Sequence, residues 1–180
     1  MKNFLMIAAL MVAAVSAQAQ TKGDFAVGLQ GGATISKLEI GDWNVDDTST
    51  RMGFGVFGQY NFTNNWRVEL EGIYHPKKDH VSDFTLGLNI HYLFKIGNTV
   101  SIYPLLGYAL SFVNAETYTE TDEHSSVTVE GDNSTEGGIQ LGAGVQANIN
   151  SNWFVAGEYK YQPGIFGDGH VVMVKAGYRF

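Results

Sequence analysis

From Phe25 to Phe180 apolar and polar residues alternate with a period of two, the spacing of a strand whose side chains point to opposite faces. In the opening stretch Phe25, Val27, Leu29, Gly31 and Ala33 share one face, and Ala26, Gly28, Gln30, Gly32 and Thr34 share the other. The alternation recurs over 52–62, 66–74, 84–94, 100–112, 139–149, 153–161 and 172–180. Each segment is close to the ~9–11 residues that a tilted strand needs to cross a bilayer. Long connections (35–51, 75–83, 113–138, 162–171) take turns with short ones (63–65, 95–99, 150–152) that carry the Asn and Gly of tight turns. An even number of antiparallel strands joined in this way predicts an all-β fold, an eight-stranded antiparallel up-and-down transmembrane β-barrel.

The two faces differ sharply. The apolar faces hold most of the aromatic residues and no Asp, Glu, Lys, Arg or His. The opposite faces hold Arg67, Glu69, Glu71, His91, Glu158, Lys160, Lys175 and Arg179, many glycines, and only three aromatic residues, Phe57, Tyr103 and Phe154. A water-soluble barrel or sandwich would bury the aromatic face and solvate the charged one. Two features favour the reverse. A glycine-rich polar face suits the narrow interior of eight strands, which side chains alone fill. Phe25, Phe62, Trp66, Phe94, Trp153 and Phe180 also gather beside the short turns and chain ends, as an aromatic girdle at a membrane rim does. The apolar face is therefore expected to meet lipid. Closure then places Phe180 beside Phe25, because backbone groups in hydrocarbon must all be paired. Pro104, mid-strand, predicts a local bulge.

Lys2, an apolar run over 4–15 and Ala17-Gln18-Ala19 have the layout of a cleaved secretory signal, so residues 1–20 are read as a signal peptide and 21–180 as the barrel domain. The apolar run is shorter than the ~20 residues of a spanning helix. With no cysteine, the chain has no disulfide framework, thiolate metal site, cysteine nucleophile or lipoprotein anchor. A formal charge of −7 makes it a poor nucleic-acid binder.

The leader, the eight alternating segments, the Asn-rich turns and the terminal strand together resemble the small outer-membrane barrels of the OmpX and OmpA-transmembrane-domain type. The opening glycines and Gly53-Phe-Gly-Val-Phe-Gly-Gln-Tyr60 are similar to the outer-membrane β-barrel domain proteins common in Bacteroidetes. The resemblance implies location in the outer membrane of a Gram-negative cell. It also implies that Val172, Val174, Ala176, Tyr178 and Phe180 form the signal read by the outer-membrane assembly machinery. Members of this group serve as anchors, adhesins, narrow pores or, rarely, enzymes.

The opposed charges of the polar face predict an interlocked ion-pair core, with a proton relay as the alternative. Strand register about the loops sets Glu158 opposite Lys175 and Glu69 opposite His91. Near the loop end, His75, His80, Ser82, Asp83, His124, Ser125 and His170 are candidates for acid–base or nucleophilic chemistry, but no spacing marks a triad. The connection 113–138 carries seven acidic residues and no Lys or Arg. It is either a solvated loop or a hairpin continuing above the membrane, and it is the candidate site for a surface partner. No cofactor, metal or catalytic residue is assigned. The expected function is a non-enzymatic integral outer-membrane barrel with a structural or surface-interaction role, a plugged lumen and exposed acidic loops. The alternatives are a narrow pore for ions or small solutes and an outer-membrane lipid-modifying enzyme.

Overall fold

The computed structural model describes residues 21–38, 47–78, 81–122, 125–129, 131, 133–163 and 168–180. The proposed signal peptide, residues 1–20, lies outside them. Among the described residues eleven strands follow one another: β1 (Phe25–Leu38), β2 (Asp47–Asn61), β3 (Trp66–Lys78), β4 (Val81–Tyr92), β5 (Phe94–Ile96), β6 (Val100–Ala115), β7 (Tyr118–Asp122), β8 (Ser125–Val129), β9 (Asn133–Asn148), β10 (Trp153–Pro163) and β11 (Asp168–Arg179). All pairings are antiparallel. The order β4-β3-β2-β1-β11-β10-β9-β6 is closed by a β4–β6 ladder, with β5 continuing β4 along β6. The result is a closed barrel of eight staves, as the alternation predicted. Closure runs through the chain ends: the Phe180 N–H donates to the Phe25 carbonyl at 2.9 Å.

The strands run further toward the loop end than apolar alternation alone indicated. The β6–β9 ladder extends to Asn114↔Asn133, and β1–β2 to Leu38↔Asp47. Main-chain pairing does not require apolar side chains once a strand leaves the lipid-facing zone. Of the connection 113–138, the outer portions therefore belong to β6 and β9. Its middle is the hairpin of β7 and β8, which among the described residues pair only with each other.

At the short-turn end, side chains satisfy the main chain. Thr63 Oγ1 accepts from the Trp66 N–H at 2.8 Å, and Asn150 Oδ1 accepts from the N–H groups of Asn152 and Trp153 at 2.9 and 2.8 Å. Gly97, at φ +64°, takes the left-handed position in the turn between β5 and β6.

Pro104 carries no bulge. β6 keeps one register with β9 through Pro104↔Ala143, and the ladder lapses on the other side, where β4 ends at Tyr92 and β5 resumes at Phe94. Between them the Leu93 N–H turns to the Asn65 carbonyl at 2.7 Å. The missing donor is absorbed by an interrupted neighbour rather than an extra residue. A register shift does occur at Pro76, between His75 and Lys78.

Candidate functional site

The interior is assembled around three aromatic rings, each facing a glycine on the next strand. Phe57 of β2 pairs with Gly28, Tyr103 of β6 with Gly144, and Phe154 of β10 with Gly177. A Cβ added at Gly144 or Gly177 would come within 2.4 Å of Tyr103 Cζ or 2.3 Å of Phe154 Cζ, so only glycine leaves room for the rings. A cation lies over each ring: Arg67 over Tyr103 at 4.7 Å, Lys175 over Phe57 at 5.2 Å and Arg179 over Phe154 at 5.8 Å. The sequence held the signal, three lone aromatics among glycines on the polar faces, but register was needed to bring them together.

All eight charged or ionisable residues of the polar faces are buried inside the barrel. Lys175 Nζ sits 2.6 Å from Glu69 Oε1, 2.9 Å from Glu158 Oε1 and 3.7 Å from Glu71 Oε2. Lys160 pairs with Glu71 and lies 3.7 Å from Glu158. Tyr103 Oη donates to Glu158 Oε2 at 3.0 Å, and Gln59 Nε2 to Glu69 Oε2 at 2.6 Å. Arg67 donates to Gln146 Oε1 at 2.7 Å and to His91 Nδ1 at 2.8 and 3.1 Å. Arg179, nearest the short turns, donates to Asn148 Oδ1 at 2.9 Å.

The expected facing pairs are displaced by two residues. Lys175 faces Ala156 and Glu158 faces Met173; Glu69 faces Asn89 and His91 faces Arg67. A two-residue offset preserves which face each side chain occupies. Lys175 therefore still reaches Glu158 diagonally, whereas Glu69 and His91 stand 3.9 Å apart.

Glu69, His91 and Glu158 offer three ligand atoms within 4.8 Å of one another, the spacing of a metal-binding set. They do not fit one. The Lys175 ammonium already lies between the two carboxylates. Because Arg67 can only donate, His91 Nδ1 must accept, which fixes the ring proton on Nε2 and removes the lone pair a metal would need.

A second polar network lies nearer the loop end, separated from the first by Ile73, Val171 and Met173. His75 Nδ1 is 2.7 Å from Asp83 Oδ2 and its Nε2 is 3.0 Å from Thr34 Oγ1. Asp83 also pairs with Arg51, which donates on to the Val81 carbonyl at 3.0 Å. The structure thus joins two of the seven loop-end candidates, His75 and Asp83, with Thr34 rather than Ser82 as third member. Acyl transfer also needs donors held ready for an oxyanion, and the guanidinium of this network is committed elsewhere. Its described geometry is that of a tie between β1, β2, β3 and β4. His170 lies on the outward parity of β11, 2.8 Å from Tyr159 Oη. Ser125 falls in β8, and His80 and His124 lie outside the described residues.

Outside, the apolar faces are open. Phe25, Phe62, Trp66, Phe94, Trp153 and Phe180 are all exposed beside the short turns. Tyr178 and Tyr92 complete ring-to-ring runs Trp153–Tyr178–Phe180–Phe25 and Trp66–Tyr92–Phe94, with centroids 4.8–6.1 Å apart. Val172, Val174, Ala176 and Phe180 share the outward side of β11 with the half-buried Tyr178. A second aromatic row, not read from the sequence, crosses the loop end as Phe54, Tyr74, Phe84 and Phe112 on β2, β3, β4 and β6. From Phe84 to Phe94, ten residues at ~3.4 Å each and a tilt of ~40° span roughly 26 Å, close to the ~25 Å apolar band of such barrels.

The outer membrane protein beta-barrel domain model matches residues 5–180. The chain belongs to the outer membrane protein beta-barrel domain family. No curated protein matches it. Among solved structures this outer-membrane barrel is similar to the N-terminal β-barrel domain of Pseudomonas aeruginosa OprF (TM-score 0.59, 16% identity, 89% of this chain and 100% of that one). It is also similar to Ail of Yersinia pestis (TM-score 0.54, 20% identity, 89% and 100%) and to neisserial surface protein A (TM-score 0.60, 15% identity, 88% and 96%). At these identities the likeness is one of fold. Membership of the outer-membrane barrel family assigns the charge-free aromatic face to lipid and the charged face to the lumen.

Proposed function

We propose that the protein is a non-enzymatic outer-membrane barrel with a structural and surface-contact role, whose lumen is closed by its own side chains. Residues 1–20 serve as its export signal, and the outward row ending in Phe180 addresses it to the assembly machinery. The short turns face the periplasm. The observation that carries the reading is Lys175, fully buried and within 3.7 Å of three carboxylates at mid-barrel. Charges removed from water are stable only when paired, and pairing of this density fills the cross-section of a narrow eight-stranded barrel. The surface-contact part rests on the β7–β8 hairpin, whose strands pair only with each other among the described residues, in a connection with seven acidic residues. An exposed hairpin edge is a physical route to strand addition by a partner.

Planar-bilayer recording tests the closed lumen. Wild type is expected to give no steady conductance. Steady channels in the wild type, shifted by Glu158→Gln, would overturn it in favour of a narrow pore.

A further inference from the structure

On the outer side of the barrel, at the loop end, a groove of about 410 Å³ crosses β3, β4 and β6 and reaches β9. Register makes it two stacked rows. The lower row is Tyr74, Phe84 and Phe112, paired in sequence across the strands and each 41–42% exposed. One side-chain step toward the loops, the upper row is Ser82, Asn114 and Asn133, likewise paired across β4, β6 and β9. The bulge between His75 and Lys78 marks its β3 edge, where the regular ladder ends. On β4 and β6 this single step, roughly 7 Å of strand, changes the wall from aromatic to hydroxyl and amide, while on β9 Thr135, beside Phe112, is already polar.

That change of polarity describes the ligand. A molecule filling the groove from the lipid side has an apolar chain on the rings and a headgroup rich in donors and acceptors at the upper row. Side-chain amides and hydroxyls both donate and accept, as sugar hydroxyls do. The two cations with described side chains at this end are engaged: Arg51 points inward to Asp83, and Lys77 pairs with Glu116. The described walls thus offer an anionic headgroup no free charge. We propose that this groove is a lipid site selective for a neutral glycolipid, its acyl chain against Tyr74, Phe84 and Phe112 and its sugar on Ser82, Asn114 and Asn133.

Native mass spectrometry of the barrel, released from phosphocholine micelles, tests this. The micelles carry equal amounts of monoglucosyl diacylglycerol and of phosphatidylglycerol with the same chains. With two hydrogen bonds of ordinary net strength at stake, the glycolipid is expected to be retained about fivefold or more over the phospholipid. The Ser82→Ala/Asn114→Ala protein, checked for its heat-shifted gel band, is expected to lose that preference. Leu88→Ala, mid-band and outside the groove, is expected to keep it. Equal retention, a preference for phosphatidylglycerol, or a glycolipid preference that survives the double substitution overturns the proposal. Should the double variant not fold, nuclear Overhauser contacts decide the matter on wild type. Contacts from glucosyl protons to the Asn114 side-chain amide support the site, and contacts from acyl protons alone refute it. None of these outcomes bears on whether the lumen conducts.

Discussion

At the scale of single residues, the interior is held by groups that have no alternative partner in lipid or water. Lys175 balances Glu69 and Glu158 at once, so Lys175→Met takes the ammonium from Glu69 and leaves Glu158 with Lys160 at 3.7 Å as its cation. Breaking a buried pair by removing one member costs about 3–5 kcal/mol. The expected result is a loss of that order in urea unfolding of the vesicle-inserted barrel. The glycines opposite the rings are as restrictive. Gly177→Ala drives a Cβ into the Phe154 ring, which is fully buried, and overpacking of this kind costs about 1–3 kcal/mol. Adding Phe154→Leu is expected to recover part of the loss. Strict additivity of the two effects in a double-mutant cycle would show that ring and glycine do not act as a pair. Which residues enter the interior was legible from parity alone. Which of them touch was not, because a two-residue slip leaves parity intact.

At the scale of elements, the β7–β8 hairpin is separable from the barrel. Among the described residues its strands join no other sheet, whereas β6 and β9 are paired with each other as far as Asn114 and Asn133. Replacing 118–129 by a short Gly-Ser link is expected to leave the heat-shifted gel band and the unfolding midpoint unchanged. Loss of cell-surface contact in that variant would support a binding role for the hairpin, and unchanged contact would leave only the structural one. From the sequence, the connection 113–138 suited either a solvated loop or a hairpin. Pairing decided between them. Pro104 and Pro76 show the same limit. Composition gives the missing donor, but neighbouring strands determine whether it appears as an interruption, at Leu93, or as a register shift, beside Pro76.

At the scale of the whole molecule, the barrel exists because its ends meet. The β1–β11 seam is a full ladder from Ala26↔Arg179 to Lys37↔Asp168, finished by the Phe180 N–H and by the Phe25–Phe180 ring contact at 6.1 Å. Removing Phe180 deletes the last hydrogen bond and one ring of the short-turn girdle. The expected outcome is a smaller folded fraction on insertion into lipid vesicles, read as the ratio of folded to unfolded gel bands, with no conductance gained.

The sequence by itself determined the class of fold, the number of staves and the face given to lipid. Each follows from a period-two pattern and from the cost of placing charge or unpaired backbone in hydrocarbon. It also marked the charged residues of the interior and the aromatic rim beside the short turns. Only the tertiary structure decided the rest: the ring-on-glycine pairs, the diagonal reach of Lys175 to Glu158, the His75–Asp83 tie and the loop-end row of Tyr74, Phe84 and Phe112. These depend on shear between strands far apart in sequence. Shear is set by closure of the whole barrel, a condition that no local stretch of the chain contains.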